Sequence, residues 1–100
     1  MPTTDIQLDE KVKVVITEPR RWKVLLLNDD TTPMEFVIEI LVEIFKHNES
    51  TARDIMLQVH ETGSGVAGIY SFEIAEAKAV EATNQARTAG HPLQIKLEEE

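Results

Sequence analysis

The chain has 100 residues, 42% of them apolar, no cysteine and a formal net charge of −8. That length supports one domain with a single modest core, and the missing cysteines exclude a disulfide framework or a thiolate metal site. The acidic balance excludes nucleic acid as the main partner. No run is long and apolar enough for a membrane span or a signal peptide, so a cytoplasmic protein is expected.

Residues 1–19 mix Thr, Asp, Glu and Lys around a short apolar run, Val12 to Ile16. An edge strand is conceivable there, but Pro19 and the flanking charges favour a mobile extension. Residues 20–100 are then the folded core. Arg20, Arg21 and Lys23 read as a solvated strand flank rather than a phosphate-binding patch.

The first strand is expected from Arg21 to Leu27. Its apolar run, Val24 to Leu27, leads straight into Asn28-Asp29-Asp30. These three are poor strand formers and good turn formers. A plain strand-end turn accounts for them. So does a cluster of hydrogen-bond acceptors held on a rigid strand terminus beside an apolar pocket.

Thr32-Pro33-Met34-Glu35 opens a helix, with Thr32 as N-cap, Pro33 at the first helical position and Glu35 completing a capping box. Glu35, Glu39, Glu43 and Lys46 share one narrow polar face. The apolar residues from Met34 to Phe45 sweep about 240° of the wheel, against the stripe of ~100° that a surface helix needs. This helix must be covered on two sides or line something, and Met34 and Ile38 lie at the margin nearest Asn28.

After a break at His47–Ser50, a second helix is expected from about Thr51 to Glu61, with Ser50 as its cap and Gly63 as its stop. Ala52, Ile55, Met56 and Val59 share a face, and His60 follows Met56 by four. The glycine-punctuated segment Gly63–Gly68 leads into a short strand, Val66 to Tyr70. It lacks the residues of a phosphate loop or a dinucleotide fingerprint, so no cofactor is assigned. Ser71 caps an alanine-rich helix to about Ala89, stopped by Gly90. A half-buried strand, Leu93 to Leu97, and a frayed acidic end, Glu98 to Glu100, complete the chain. The order β-α-α-β-α-β predicts an α+β fold, a small three-stranded sheet packed against three helices.

Asp29 or Asp30 with His60 resembles an acid/base pair, but no serine elbow or cysteine accompanies them. His47, His60 and His91 lack ligand spacing for a metal. Val37 and Val59 read equally as core. Met34 and Met56 suit an apolar wall that adapts to varied guests.

The segments LLLNDDTTPMEFV, IMLQVHETGSGVAGIYSFEIAEAK and AGHPLQIKLE resemble the ClpS family, the ATP-dependent Clp protease adaptor proteins that recognise N-degrons. The resemblance covers about Trp22 to Glu98. It implies a non-catalytic, monomeric adaptor that binds proteins by a free, large apolar N-terminal residue (Phe, Leu, Tyr or Trp). These are passed to the N-domain of a ClpA-type AAA+ unfoldase for degradation by ClpP. Carried over by position, substrate α-amino binding falls on Asn28, Asp29 and His60, with Asp30 beside them. The side-chain pocket falls on Thr32, Met34, Val37, Met56, Val59 and Leu93, with Met34 where the family excludes β-branched residues. Glu73 and Lys78 match positions facing the unfoldase, and the N-terminal extension matches a segment used in handover.

The chemistry agrees independently: an ammonium has three donors and no acceptor, so its burial needs acceptors around it. The chain departs from the family at Thr31, where an aromatic residue is frequent, at Ala67, where cysteine is frequent, and in its acidity. A rival reading is a non-catalytic interaction module like the C-terminal domain of the ribosomal stalk protein, binding through a helix face. That reading leaves Asn28, Asp29 and His60 without a role.

Overall fold

The computed structural model describes residues 20–100, so the extension and the possible strand at residues 1–19 lie outside the described residues. The chain runs β1 (Arg21–Leu27), α1 (Met34–Glu43), α2 (Glu49–Thr62), β2 (Ser64–Ser71), α3 (Phe72–Thr88) and β3 (Gln94–Glu99). This is the expected element order. The sheet is antiparallel in the order β2-β1-β3, with the most apolar strand in the middle. Val24 and Leu26 of β1 are fully buried and join Ile40, Leu41, Ala52, Ala75, Ala82 and Ala86 in one core. The alanines of α3 leave little side chain between helix and sheet, which permits their close approach.

The β1–β2 pairing slips between Val24 and Leu25, where β2 carries Ala67 as an extra residue. The carbonyl of Ala67 accepts a hydrogen bond from His47 Nε2, so this half-buried histidine secures a bulge. His91 is packed edge-on against Phe36, with ring centroids 4.6 Å apart.

Several local expectations are corrected. Glu98 and Glu99 are not frayed: they belong to β3, opposite Lys23 and Trp22 of β1. The cationic flank is their counterpart. Arg20 reaches Glu99 at 2.9 Å, Lys23 reaches Glu98 at 3.5 Å and Arg21 reaches Glu100 at 3.5 Å. Such exposed pairs contribute at most ~1 kcal/mol each, but opposite charges on facing strands favour this register.

The capping box at α1 does not form. Pro33 occupies the N-cap and has no side-chain atom that could accept a cap bond, while the Thr32 hydroxyl donates to Asp29 Oδ2. α1 also ends earlier than its apolar pattern. Ile44 is its C-cap, Lys46 turns left-handed at φ 63°, and Ile44 and Phe45 are buried beyond the helix. α2 starts at Glu49, because Asn48 rather than Ser50 is its cap, accepting from Thr51 N at 2.8 Å. β2 is longer than expected and begins at Ser64, one residue after the Gly63 stop.

Candidate functional site

The end of β1 and the C-terminal end of α2 are fastened together by backbone. Asn28 N donates to Gly63 O at 2.9 Å, and Gly63 N donates to Val59 O at 3.0 Å. Gly63 has φ +96°, a conformation that L side chains rarely adopt, so glycine suits the reversal from α2 into β2. Two residues on, β2 passes so close to α2 that a Cβ at Gly65 would lie 2.8 Å from Val59 Cγ2. These contacts fix the turn of α2 that carries Met56, Val59 and His60 against the Asn28–Asp30 corner.

The corner is organised by Asp29. Its Oδ1 accepts from Thr31 N at 2.8 Å, Thr31 Oγ1 at 3.1 Å and Thr32 N at 2.7 Å; its Oδ2 accepts from Thr32 Oγ1 at 2.7 Å. Burial pushes the Asp29 carboxyl upward, but the hydrogen bonds from Thr32 and Thr31 outweigh it and hold the group below its ordinary range. A carboxylate offers about four lone-pair sites, two on each oxygen. Among the described residues Oδ2 takes one bond, from Thr32 Oγ1, and that leaves it capacity for a further donor.

A concavity of ≈ 220 Å³ opens at this junction, lined by Asn28, Asp29, Asp30, Thr32, Met34, Val37, Met56, Val59 and His60. Val37, Met56 and Val59 are buried at 6%, 7% and 3% exposure and form its floor, whereas Met34 is 43% exposed at its rim. Asn28, Asp30 and His60 are exposed, and Asp29 is half-buried. The arrangement pairs acceptors, two of them anionic, with an apolar floor too small for a folded partner. It suits a small cationic head attached to an apolar side chain. Among the described residues, no three or more His, Asp or Glu side chains are grouped to hold a metal ion.

Nine of the ten residues expected in the amino-binding set and the pocket line this one concavity. Leu93 does not: it is 1% exposed in the core, and its carbonyl accepts from Arg87 Nη1 at 2.8 Å. Glu73 and Lys78 lie elsewhere, on α3. Glu73 is exposed, while Lys78 Nζ donates to Ile44 O at 2.8 Å, satisfying the end of α1, and lies 5.4 Å from the Tyr70 ring centroid. The sequence reading missed that Thr31 and Thr32 brace Asp29. An aspartate followed at two and three residues by threonines is a local signal for such a turn.

Residues 17–96 match the family model described as ATP-dependent Clp protease adaptor protein ClpS. The ATP-dependent Clp protease adapter protein ClpS of Wolinella succinogenes is 44% identical over 96 residues, covering 96% of this chain and 94% of its own. That of Shewanella halifaxensis is 48% identical over 93 residues, covering 93% and 91%. Among solved structures, Agrobacterium tumefaciens ClpS2 bound to L-phenylalaninamide superposes with a TM-score of 0.80 at 44% identity. The match spans 83% of this chain and all (100%) of that one.

Proposed function

From the premise that this chain belongs to the ClpS family of ATP-dependent Clp protease adaptor proteins, we propose that it binds proteins by a free, large apolar N-terminal residue. It delivers them to a ClpA-type AAA+ unfoldase for degradation by ClpP. The family is one of adaptors and not of enzymes, so Asp29 or Asp30 with His60 is a binding arrangement rather than an acid/base pair.

The observation that carries this reading is the single concavity in which Asn28, Asp29 and His60 meet an apolar floor of Val37, Met56 and Val59. The substrate ammonium donates to the Asn28 carbonyl, to Asp29 Oδ2 and to a neutral nitrogen of His60, with Asp30 adding negative potential. Thr32 holds Asp29, Met34 closes the rim, and Leu93 supports the floor from the core. The relative from Agrobacterium tumefaciens binds L-phenylalaninamide, whose free amine and aromatic side chain have the chemistry of a Phe chain start. Burying a Phe or Leu side chain yields roughly 1.5–3 kcal/mol, and Ala offers little of that.

Glu73 is the exposed candidate for unfoldase contact, whereas docking through Lys78 competes with its bond to Ile44 O. The adaptor acts as a monomer in the cytoplasm. Among the described residues no helix is long and apolar enough to cross a membrane.

The test is isothermal titration with peptides that differ only at residue one, each with a free and an acetylated amino end. Peptides starting with Phe, Leu, Tyr or Trp bind, and acetylation weakens them more than tenfold, since losing a charge-assisted hydrogen bond costs ~1.5–3 kcal/mol. Equal affinity for free and acetylated forms rejects the reading and favours a helix-face module of the ribosomal-stalk kind.

A further inference from the structure

The chain has no cysteine, so its three methionines, Met1, Met34 and Met56, carry all of its sulfur. No thiolate competes with them for an oxidant. Met34 and Met56 both line the concavity, but they differ in access. Met56 is 7% exposed in the floor, whereas Met34 is 43% exposed at the rim, in the first turn of α1. Oxidation turns a soft, apolar thioether into a polar, chiral sulfoxide, and it goes fastest where the sulfur is accessible. A sulfoxide oxygen is an acceptor. The carboxylates of Asp29 and Asp30 beside it in the same concavity offer it no donor, and the Thr32 hydroxyl is committed to Asp29.

We propose that Met34 is a site of reversible oxidation that switches recognition. A hydroperoxide converts its thioether to the sulfoxide, and the oxidised rim binds a large apolar N-terminal side chain poorly. The inference rests on the N-terminal-residue reading above. With hydrogen peroxide the step is a two-electron transfer. The sulfur lone pair attacks one peroxide oxygen, an S–O bond forms, the O–O bond breaks, and the second oxygen leaves as water. Sulfur is oxidised and peroxide reduced. A bound apolar side chain packs over the Met34 thioether, so an occupied site is shielded and an empty one is open. A methionine sulfoxide reductase with a thiol donor returns the thioether, which makes the change a switch rather than damage. The neutral alternative, an exposed methionine of no consequence, oxidises as readily and leaves binding as it was.

The experiment treats the full chain with dilute hydrogen peroxide, follows each methionine by peptide mass spectrometry, and titrates a Phe-started peptide before and after. Met34 sulfoxide accumulates roughly fivefold faster than Met56 sulfoxide, and saturating peptide slows it toward the Met56 rate. The protein oxidised at Met34 keeps its melting temperature but binds the peptide about tenfold more weakly, as for a polar group buried without a partner. Treatment with the reductase restores the affinity. In Met34→Leu the ratio of affinities before and after peroxide falls to about one, because leucine has no sulfur to oxidise. That ratio, taken on one variant, cancels whatever the substitution itself does to binding. Equal oxidation rates at Met34 and Met56, or full affinity with Met34 oxidised, overturn the switch while leaving N-terminal recognition intact. A loss that persists in Met34→Leu, or that outlasts reduction of the sulfoxide, also overturns it and assigns the damage to another side chain. Failure of the untreated protein to bind any Phe-started peptide overturns both readings.

Discussion

Four hydrogen bonds from Thr31 and Thr32 converge on the Asp29 carboxylate, and they set both its aim and its charge. A carboxyl held below its ordinary range stabilises the fold fully above its unfolded pKa, near ~3.9, and loses that contribution as pH falls through the lowered folded value. Thr32→Val removes a side-chain donor and leaves the backbone bond. Asp29 should then titrate closer to its ordinary range, and both acid destabilisation and loss of peptide binding should begin at higher pH. Carboxyl NMR titration of the two proteins decides this; an unshifted Asp29 midpoint contradicts the bracing role. Met34 acts on the other half of the ligand. It is 43% exposed at the rim, so little core depends on it. Met34→Ala should widen the mouth and admit Ile or Val at residue one, measured by titration with the same peptide set. A lower melting temperature with unchanged preference would instead make Met34 ordinary packing.

The elements deliver these residues through the tight passage of β2 over α2. At Gly65 an added methyl meets Val59 Cγ2 at 2.8 Å and the Ile55 carbonyl at 3.4 Å. Val59 is β-branched and 3% exposed, so it cannot swing aside. Gly65→Ala should cost ~1–3 kcal/mol of stability and weaken peptide binding, because the displaced turn carries Met56, Val59 and His60; denaturant unfolding and peptide titration measure the two losses. Element identity was legible in the sequence because period and stop signals agreed: Gly63 ended α2 as expected, and the wide apolar arc of α1 packs on α2 and lines the concavity through Met34 and Val37. Boundaries went astray where side chains compete for the same backbone. Thr32 looks like an N-cap, but the helix begins one residue later with Pro33 at the cap while Thr32 serves the Asp29 turn, and Asn48 takes the cap of α2 ahead of Ser50. The pairing of Glu98 and Glu99 with the Arg20–Lys23 flank joins residues about 75 positions apart, which no local pattern displays. Leu93 was assigned to the pocket by the family resemblance alone, and no local pattern shows that it lies 1% exposed in the core.

At the scale of the whole molecule, the core cluster and the concavity are, among the described residues, both built from residues between Val24 and Leu93. β1 already has both of its sheet neighbours from the segment after residue 20. Recognition and delivery should therefore separate along the chain. Deleting residues 1–19 should leave the affinity for a Phe-started peptide within about twofold, since changes away from buried features usually stay within ±0.5 kcal/mol. The same deletion should impair degradation of a Phe-started reporter by a reconstituted ClpA-type unfoldase and ClpP. Delivery requires the substrate to leave a site in which a free ammonium and an apolar side chain are both satisfied. Binding chemistry at the concavity supplies no reason for that release. If the unfoldase engages residues 1–19, a pull on that segment acts on the adaptor rather than on the bound substrate. Full-rate degradation with the truncated protein would remove the extension from handover. Weakened peptide binding would instead assign residues 1–19 to the recognition site itself.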